Sequence, residues 1–199
     1  MGFGVAGITS GGPWGALDSD SCQIGTMRLD GFNGTSVKLM IDGYQFPGAV
    51  PAHARDWDAN WLVITGEVSA THGHDWRFHG CSLTTWEVDE LTAWLRSVSR
   101  CEVPAADEVP PSAYVVSDWP GHATDAGWLT FTEPSLSFAV GGYYGLMVHL
   151  LVGLGHESAP PAVDTDRPSW CRVTVVMAAL QVQDAGDALQ AELAAYPAR

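Results

Sequence analysis

Cationic residues are scarce in this chain: nine Lys and Arg stand against 23 Asp and Glu in 199 residues, for a formal net charge of −14. Nucleic acids and anionic membrane surfaces are bound through clustered cations, so the composition argues against both as partners. The charge is uneven, because residues 101–166 hold nine acidic residues and no Lys or Arg. Solubility alone explains such an acidic block. The functional interpretation is a surface that attracts a cationic partner.

Long apolar runs and targeting signals are also missing. The longest apolar stretch, 145–155, has eleven residues, whereas a membrane-spanning helix needs about 20. No Lys or Arg precedes Arg28, so the basic region of a secretory signal is absent. Together these absences predict a cytoplasmic protein. None of the four cysteines (22, 81, 101 and 171) lies in a CxxC pair, and we expect buried free thiols.

Motifs that carry catalysis or hold a cofactor are absent. The chain has neither a GxSxG elbow nor a cysteine with the flanks of a thiol enzyme. Residues 2–7 match GxGxxG by letter, but no strand precedes them and a Gly-Gly-Pro follows in place of a helix. His72 and His74 are weak candidates for metal ligands, because no third ligand stands at a defined spacing. The sequence therefore predicts no enzyme, no cofactor and no metal site.

Apolar residues after Met27 mostly follow the two-residue period of β-strands. Strands are predicted at 35–41, 61–68, 75–79, 114–117, 129–131, 136–140, 143–152 and 171–180. Tight turns are predicted at 71–74, at Glu133-Pro134 and at Gly141-Gly142. Residues 1–26 contain seven glycines and no basic residue, which predicts a flexible extension, with Met27 as an alternative start.

Two helices are predicted between and after these strands. Thr84 and Glu87 form a capping-box pattern ahead of a helix at 85–99. Its apolar stripe is Val88, Leu91, Trp94, Leu95 and Val98. Asp184 is predicted to cap a final helix whose stripe is Ala188, Leu189, Leu193 and Tyr196. The predicted fold is α+β: a mainly antiparallel β-sandwich or part-open barrel of seven or eight strands with two amphipathic helices, in one domain of residues 27–199.

Nine tryptophans are many for a chain of this length, and their surroundings differ. Three of them, Trp61, Trp76 and Trp94, lie on apolar faces and are predicted to be core, whereas Trp14, Trp57, Trp119 and Trp170 lie in loop-like sequence. Trp is enriched in the energetic centres of protein interfaces, and Trp119 falls inside the acidic block. The predicted partner-binding residues are Asp107, Glu108, Asp118, Trp119, Asp125, Asp164 and Asp166.

Two other functions stay open from the residues alone. The Asp56-Trp57-Asp58 sequence suits a small-ligand or carbohydrate-binding β domain, or a weak hydrolase, with the pair His72 and His74 as possible metal ligands. A structural role in a larger assembly is the third interpretation. Stoichiometric zinc or calcium in the purified protein would favour the ligand-binding domain.

Short blocks of this sequence, in their order, resemble the WapI-type immunity proteins of bacteria. The blocks are WLVI at 61–64 with Gly66 and Val68, LTAWL at 91–95, FTEPSLSF at 131–138, Pro160-Pro161 and LAAYPAR at 193–199. The resemblance spans about residues 30–199, and it departs from the family in residues 1–26 and in the individual segment 102–127. It implies a cytoplasmic antidote that binds the toxin domain of a contact-dependent nuclease. No binding residues are transferred, so the partner-binding residues above rest on charge and composition alone.

Overall fold

The computed structural model of the chain describes residues 26–53, 55–71, 74–106, 114–116, 127–161 and 170–199. Within these ranges the fold is α+β, with two antiparallel sheets and no closed barrel, as the sequence predicts. The first sheet consists, in spatial order, of β1 (Met27–Asp30), β2 (Ser36–Tyr44), β3 (Trp61–Ala70) and β4 (His74–Thr84). The second sheet has the order β5 (Tyr114–Val116), β9 (Trp170–Ala178), β8 (Met147–Gly155), β7 (Leu136–Tyr144) and β6 (Trp128–Thr130).

Three helices accompany the sheets in the described ranges: α1 (Trp57–Asn60), α2 (Thr85–Ser99) and α3 (Ala179–Leu193). The inner faces of both sheets and the apolar stripes of α2 and α3 share one core. The helix α2 reaches the second sheet through Trp94, whose ring lies 6.1 Å from that of Phe138. None of the described helices has the length and apolarity needed to cross a bilayer.

The two sheets differ in what covers their outer faces. Every second residue of β3 is buried, and the alternate residues form a partly exposed outer face on which Glu67 pairs with Arg77 at 2.9 Å. In the second sheet, residues 136–140 of β7 and 150–155 of β8 are buried on both faces. Burial on both faces explains why these strands lack the clean alternation of β3.

The helix predicted at 85–99 is confirmed with its capping box. Thr84 and Glu87 exchange hydrogen bonds at the helix start, where the Thr84 backbone N–H donates to Glu87 Oε2 at 2.7 Å. The predicted start of the last helix at Asp184 is wrong, because α3 begins at Ala179. The Gln181 side chain accepts the backbone N–H of Ala178 at 3.0 Å, so the first turn is satisfied without Asp184.

Two further expectations about the strands are corrected. Gly141-Gly142 is not a turn but part of β7, where the register with β8 shifts between Val140 and Gly142. The chain instead reverses around Gly145, whose φ of 64° is the left-handed conformation that glycine adopts without strain. The strand β1 is not predicted, since four residues are too few to show a period.

The turn between β1 and β2 joins the two sheets. On β9, β5 pairs only as far as Val173, and the residues that follow form hydrogen bonds with this turn. The backbone N–H of Phe32 donates to Val176 O at 2.7 Å, and Asn33 Nδ2 donates to Thr174 O at 2.7 Å. The Val176 N–H donates to Asn33 Oδ1 at 3.2 Å. The side-chain amide of Asn33 therefore pairs with β9 as a neighbouring strand would, which satisfies part of the sheet edge.

Gly66 is required by close packing within the first sheet. A Cβ atom at this position would lie 2.0 Å from Cζ of Phe78, a ring that is only 6% exposed. Gly66→Ala is therefore expected to lower the free energy of unfolding by about 1–3 kcal/mol, because the buried ring must leave its position. Urea denaturation measures this. Gly48→Ala, with no atom within 4 Å of its new Cβ, is the control. Equal urea midpoints for Gly66→Ala and Gly48→Ala would contradict the close packing of Phe78 against Gly66.

Candidate interaction surfaces

All seven partner-binding residues predicted from sequence lie outside the described residues, and so does His72. They are Asp107, Glu108, Asp118, Trp119, Asp125, Asp164 and Asp166. They belong to the stretches 107–113, 117–126 and 162–169. The described residues beside these stretches show where each one joins the fold.

The stretches around β5 start from and return to the second sheet. The backbone N–H of Ala106 donates to Val140 O of β7 at 2.7 Å. Gly127, where the described chain resumes, lies against Ala106, because a Cβ there would be 3.1 Å from the Ala106 Cα. Between them β5 pairs with β9, at the opposite edge of the sheet from β6. Both attachment points of the acidic stretches thus belong to one sheet.

A buried cation lies on the strand that holds β5. Arg172 is 8% exposed and stands opposite Val115 in the β5–β9 register. Burial lowers the pKa of its guanidinium, since the charged form loses hydration. The two neighbours of Arg172 on β9, Cys171 and Val173, point into the main core. Arg172 therefore places its positive charge on the other face of the second sheet.

The remaining acidic residues of the 101–166 block are described, and Glu102 and Glu157 make contacts within the fold. Glu102 forms an ion pair with Arg100 at 2.7 Å. Glu157 accepts hydrogen bonds from its own backbone N–H and from Ser135 Oγ, and these bonds lower its pKa. Burial, with the negative charges of Glu157 and Glu87, raises the pKa of Glu133. The acidity of the block is therefore partly structural.

Glu87 is a buried carboxylate that connects three elements. It is 5% exposed and accepts hydrogen bonds from the Thr84 N–H and Thr84 Oγ1, at 2.7 and 2.9 Å. Its other oxygen accepts the backbone N–H of Thr132, in the β6–β7 turn, at 2.7 Å. One side chain thus caps α2, fixes the end of β4 and holds the second sheet. Sequence analysis identified its capping role, but the contact with Thr132 spans 45 residues and has no local signal.

Histidines of the first sheet form polar contacts on its exposed face. His74 begins β4 opposite Ala70 and is exposed. The Nδ1 atom of His79 lies 2.9 Å from Thr65 Oγ1 and 3.2 Å from Asp42 Oδ2. Across the described ranges, no three or more His, Cys, Asp or Glu residues are arranged to hold a metal ion.

An exposed group of aromatic rings lies where β2, β3 and α2 meet; we call Phe46, Trp57, Trp61 and Trp86 the aromatic corner. The Trp57 ring lies 5.7 Å from that of Trp61 and, edge to face, 5.1 Å from that of Trp86. Trp57 is 43% exposed and Phe46 is 44% exposed. The guanidinium of Arg55 lies 6.0 Å from the centre of the Trp86 ring.

The C-terminal residue fastens the loop that carries this corner. Asn60 exchanges two hydrogen bonds with the backbone of Arg199, at 2.9 and 3.0 Å. The Arg199 guanidinium donates to Pro47 O at 3.0 Å and lies 3.5 Å from the centre of the Tyr44 ring. Within the loop, Asp56 accepts the Ala52 N–H at 2.9 Å, and this bond lowers its pKa. The loop is thereby held at both ends.

Sequence reasoning found this corner only in part. Trp76 is core as predicted, at 7% exposure, and Trp57, which was placed in loop-like sequence, is exposed. Trp94 is partly buried and packs at the margin of the core, whereas Trp61 is partly buried with its ring next to that of Trp57. Phe46 and Trp86 were missed, because a loop aromatic and a residue in the first turn of a helix have no periodic signal.

The prediction of buried thiols holds for Cys171 and is wrong for Cys101. Cys171 is buried, and burial raises its pKa to about 12. Cys101 is exposed, directly after α2, in a left-handed conformation with φ of 58°. The side chains of Cys22 and Cys81 lie outside what the structure describes.

Glu192 makes an unusual contact between α3 and β2. Its Oε1 accepts the backbone N–H of Ile41 at 2.8 Å, next to the register shift between Ile41 and Gly43. Its Oε2 is buried and has no hydrogen-bond partner among the described residues. Burial raises the pKa of this carboxyl, and the nearby Asp42 acts in the same direction. Ionised Glu192 is therefore unfavourable in the folded protein.

Glu192→Gln is expected to stabilise the protein at neutral pH by roughly 1 kcal/mol, because the amide keeps the acceptor for Ile41 and carries no charge. The native-state pKa of Glu192 is raised above its unfolded-state pKa. The wild-type residue therefore stabilises the fold below the unfolded-state pKa, and this stabilisation is lost as the pH rises through the native-state pKa. The stabilisation that Glu192→Gln adds should hence shrink towards pH 4. Urea denaturation at pH 4 and pH 7 measures it, and a gain equal at both pH values would contradict the assignment.

Comparison with known proteins identifies one relationship. A family model described as the immunity protein WapI-like family matches residues 28–197. No curated protein matches the chain, and no solved structure does.

Proposed function

The chain belongs to the WapI-like immunity protein family, and we propose that it is a cytoplasmic antidote that binds and neutralises a cognate contact-dependent nuclease toxin. The observation that carries the proposal is the family match, which runs from β1 to the residues just after α3. An immunity protein acts by binding its toxin. We therefore assign the chain no catalytic residues and no cofactor.

The charge of the chain supports a cationic partner. A nuclease must bind a polyanion, so its substrate cleft carries cations. An inhibitor with a net charge of −14 is attracted to such a cleft over long range, which speeds encounter. The immunity protein and the nucleic acid would then compete for the same surface of the toxin, and the bound immunity protein would exclude the substrate.

We place the toxin-binding surface on the acidic stretches attached to the second sheet. Asp118, Trp119 and Asp125 belong to the stretch between β5 and Gly127, whose ends are fixed at β9 and at Ala106. Asp107 and Glu108 precede β5 in the chain. The 162–169 stretch, with Asp164 and Asp166, leads directly into β9. One sheet thus provides the attachment for all seven residues.

Co-expression in bacteria tests the proposal. The toxin domain encoded next to the gene for this chain is produced with or without the chain, and colony survival is counted. We expect survival only when both are produced, together with co-purification of the two proteins. Toxicity that persists at full expression of the folded chain would overturn the proposal.

A further inference from the structure

We propose that the aromatic corner is a second toxin-binding site, and that it receives a lysine or arginine side chain of the toxin domain in the groove between Phe46 and Asp58. The inference rests on the proposed function and adds to it the chemistry of one contact. The groove is lined by Gln45, Phe46, Pro47, Gly48, Ala49 and Asp58. Its walls are mostly apolar and its one charged residue is an acid, which suits a side chain with an aliphatic stem and a cationic end.

Asp58 provides the counter-charge in this groove. Its carboxylate forms no ion pair and no hydrogen bond within the described part of the chain. Asp56, two residues earlier, is in contrast engaged by the backbone N–H of Ala52 at 2.9 Å. The two carboxylates of the Asp56-Trp57-Asp58 sequence therefore differ: one holds the loop and the other is available to a ligand.

The rings of this region already attract guanidinium groups of the chain itself. Arg199 lies 3.5 Å from the centre of the Tyr44 ring, and Arg55 lies 6.0 Å from the centre of the Trp86 ring. In the groove itself the aromatic ring is that of Phe46, which is 44% exposed and lines the groove together with Asp58. An exposed ring and a carboxylate in one groove bind a cation through both the ring face and the charge.

The corner is also rigid enough to act as a binding centre. Trp57 is held between Trp61 and Trp86, and the 45–49 loop is tied to Arg199 through Pro47 O. Aromatic anchors with fixed positions lose little conformational entropy on binding, and they dominate the energetics of protein interfaces. The partner's cation would therefore meet a preformed site.

Titration of the toxin domain with the purified full chain and its variants tests the inference by calorimetry. Asp58→Asn should raise Kd about five- to tenfold, and Asp58→Lys and Phe46→Ala about ten- to 100-fold. Because the Asp58 carboxylate makes no hydrogen bond or ion pair within the described chain, its two variants should fold as the wild type does, and urea midpoints verify this for all three variants. Asp75→Lys is the charge control: it changes the net charge equally, removes only an exposed hydrogen bond from Ser69 Oγ, and lies near the opposite end of the β3–β4 hairpin from Trp61. It should alter Kd by less than threefold.

The outcomes separate the inference from the proposed function. If the wild-type chain binds the toxin domain and the Asp58 and Phe46 variants stay within twofold of its Kd, the second site is wrong and the toxin-immunity role stands. Equal losses for Asp58→Lys and Asp75→Lys would also overturn the site, because they would show a general charge effect. If the wild-type chain does not bind the toxin domain, the proposed function fails, and the inference fails with it.

Discussion

Replacement of both Asp118 and Asp125 by lysine is expected to slow association with the toxin domain about tenfold at low ionic strength, while the dissociation rate changes little. The two substitutions change the net charge from −14 to −10 within the acidic stretch that we assign to the interface. Long-range attraction acts on the encounter rate, whereas short-range contacts set the lifetime of the complex. The difference should fade above about 0.1 M salt, where the screening length falls to about 10 Å.

Stopped-flow association over a range of salt concentrations measures this effect. Asp75→Lys combined with Glu90→Lys is the control, because it makes the same change in net charge on β4 and α2, at residues that do not belong to the acidic stretches. We expect a smaller slowing for the control pair. Association that is unchanged at every salt concentration by Asp118→Lys with Asp125→Lys would show that the acidic surface does not guide the toxin.

Glu87→Ala is expected to lower the free energy of unfolding by about 3–4 kcal/mol. The substitution removes the acceptor of the buried backbone N–H of Thr84 and that of the partly buried hydrogen bond from the Thr132 N–H. Hydrogen bonds to a charged group contribute about 1.5–3 kcal/mol each, and a buried unsatisfied donor adds a desolvation cost. The loss should therefore exceed that of an ordinary helix cap, for which about 1 kcal/mol is typical.

Urea denaturation measures this loss against a control on the same helix. Glu90→Ala removes an exposed carboxylate three residues further along α2 and should change stability by less than about 0.5 kcal/mol. Glu87→Gln keeps one good acceptor, so its loss of unfolding free energy should lie between those of Glu87→Ala and Glu90→Ala. A loss of less than 1 kcal/mol for Glu87→Ala would contradict the connection between α2 and the β6–β7 turn.

The parts of the fold that were predictable are those with a local cause. The helix α2 was predicted with its bounds, because its cap and its apolar stripe lie within fifteen consecutive residues. The β3–β4 hairpin followed from the short apolar run at 61–64 and the alternation at 75–79, with a turn at 71–74 between them. The start of α3 was missed because Gln181 satisfies the first turn in place of a conventional cap. Gly141-Gly142 resembles a turn in sequence, but the pairing of β7 with β8 continues through it.

The two candidate sites also differ in whether the sequence alone reveals them. The acidic block was visible in the sequence because charge is a property of composition, and its assignment to toxin binding stays a prediction. The aromatic corner was not visible, because Phe46, Trp57, Trp61 and Trp86 come from a loop, a short helix, a strand end and a helix start. The register of β2 with β3 and the closure by Arg199 bring them together, and neither has a sequence motif.

The central claim is that this chain inhibits a nuclease toxin by binding it directly, and titration calorimetry with the purified toxin domain tests it most directly. We predict one-to-one binding with a Kd of roughly 1–100 nM, weaker at higher salt, and loss of nuclease activity at equimolar chain. Absence of binding heat, with full nuclease activity in an excess of folded chain, would contradict the account.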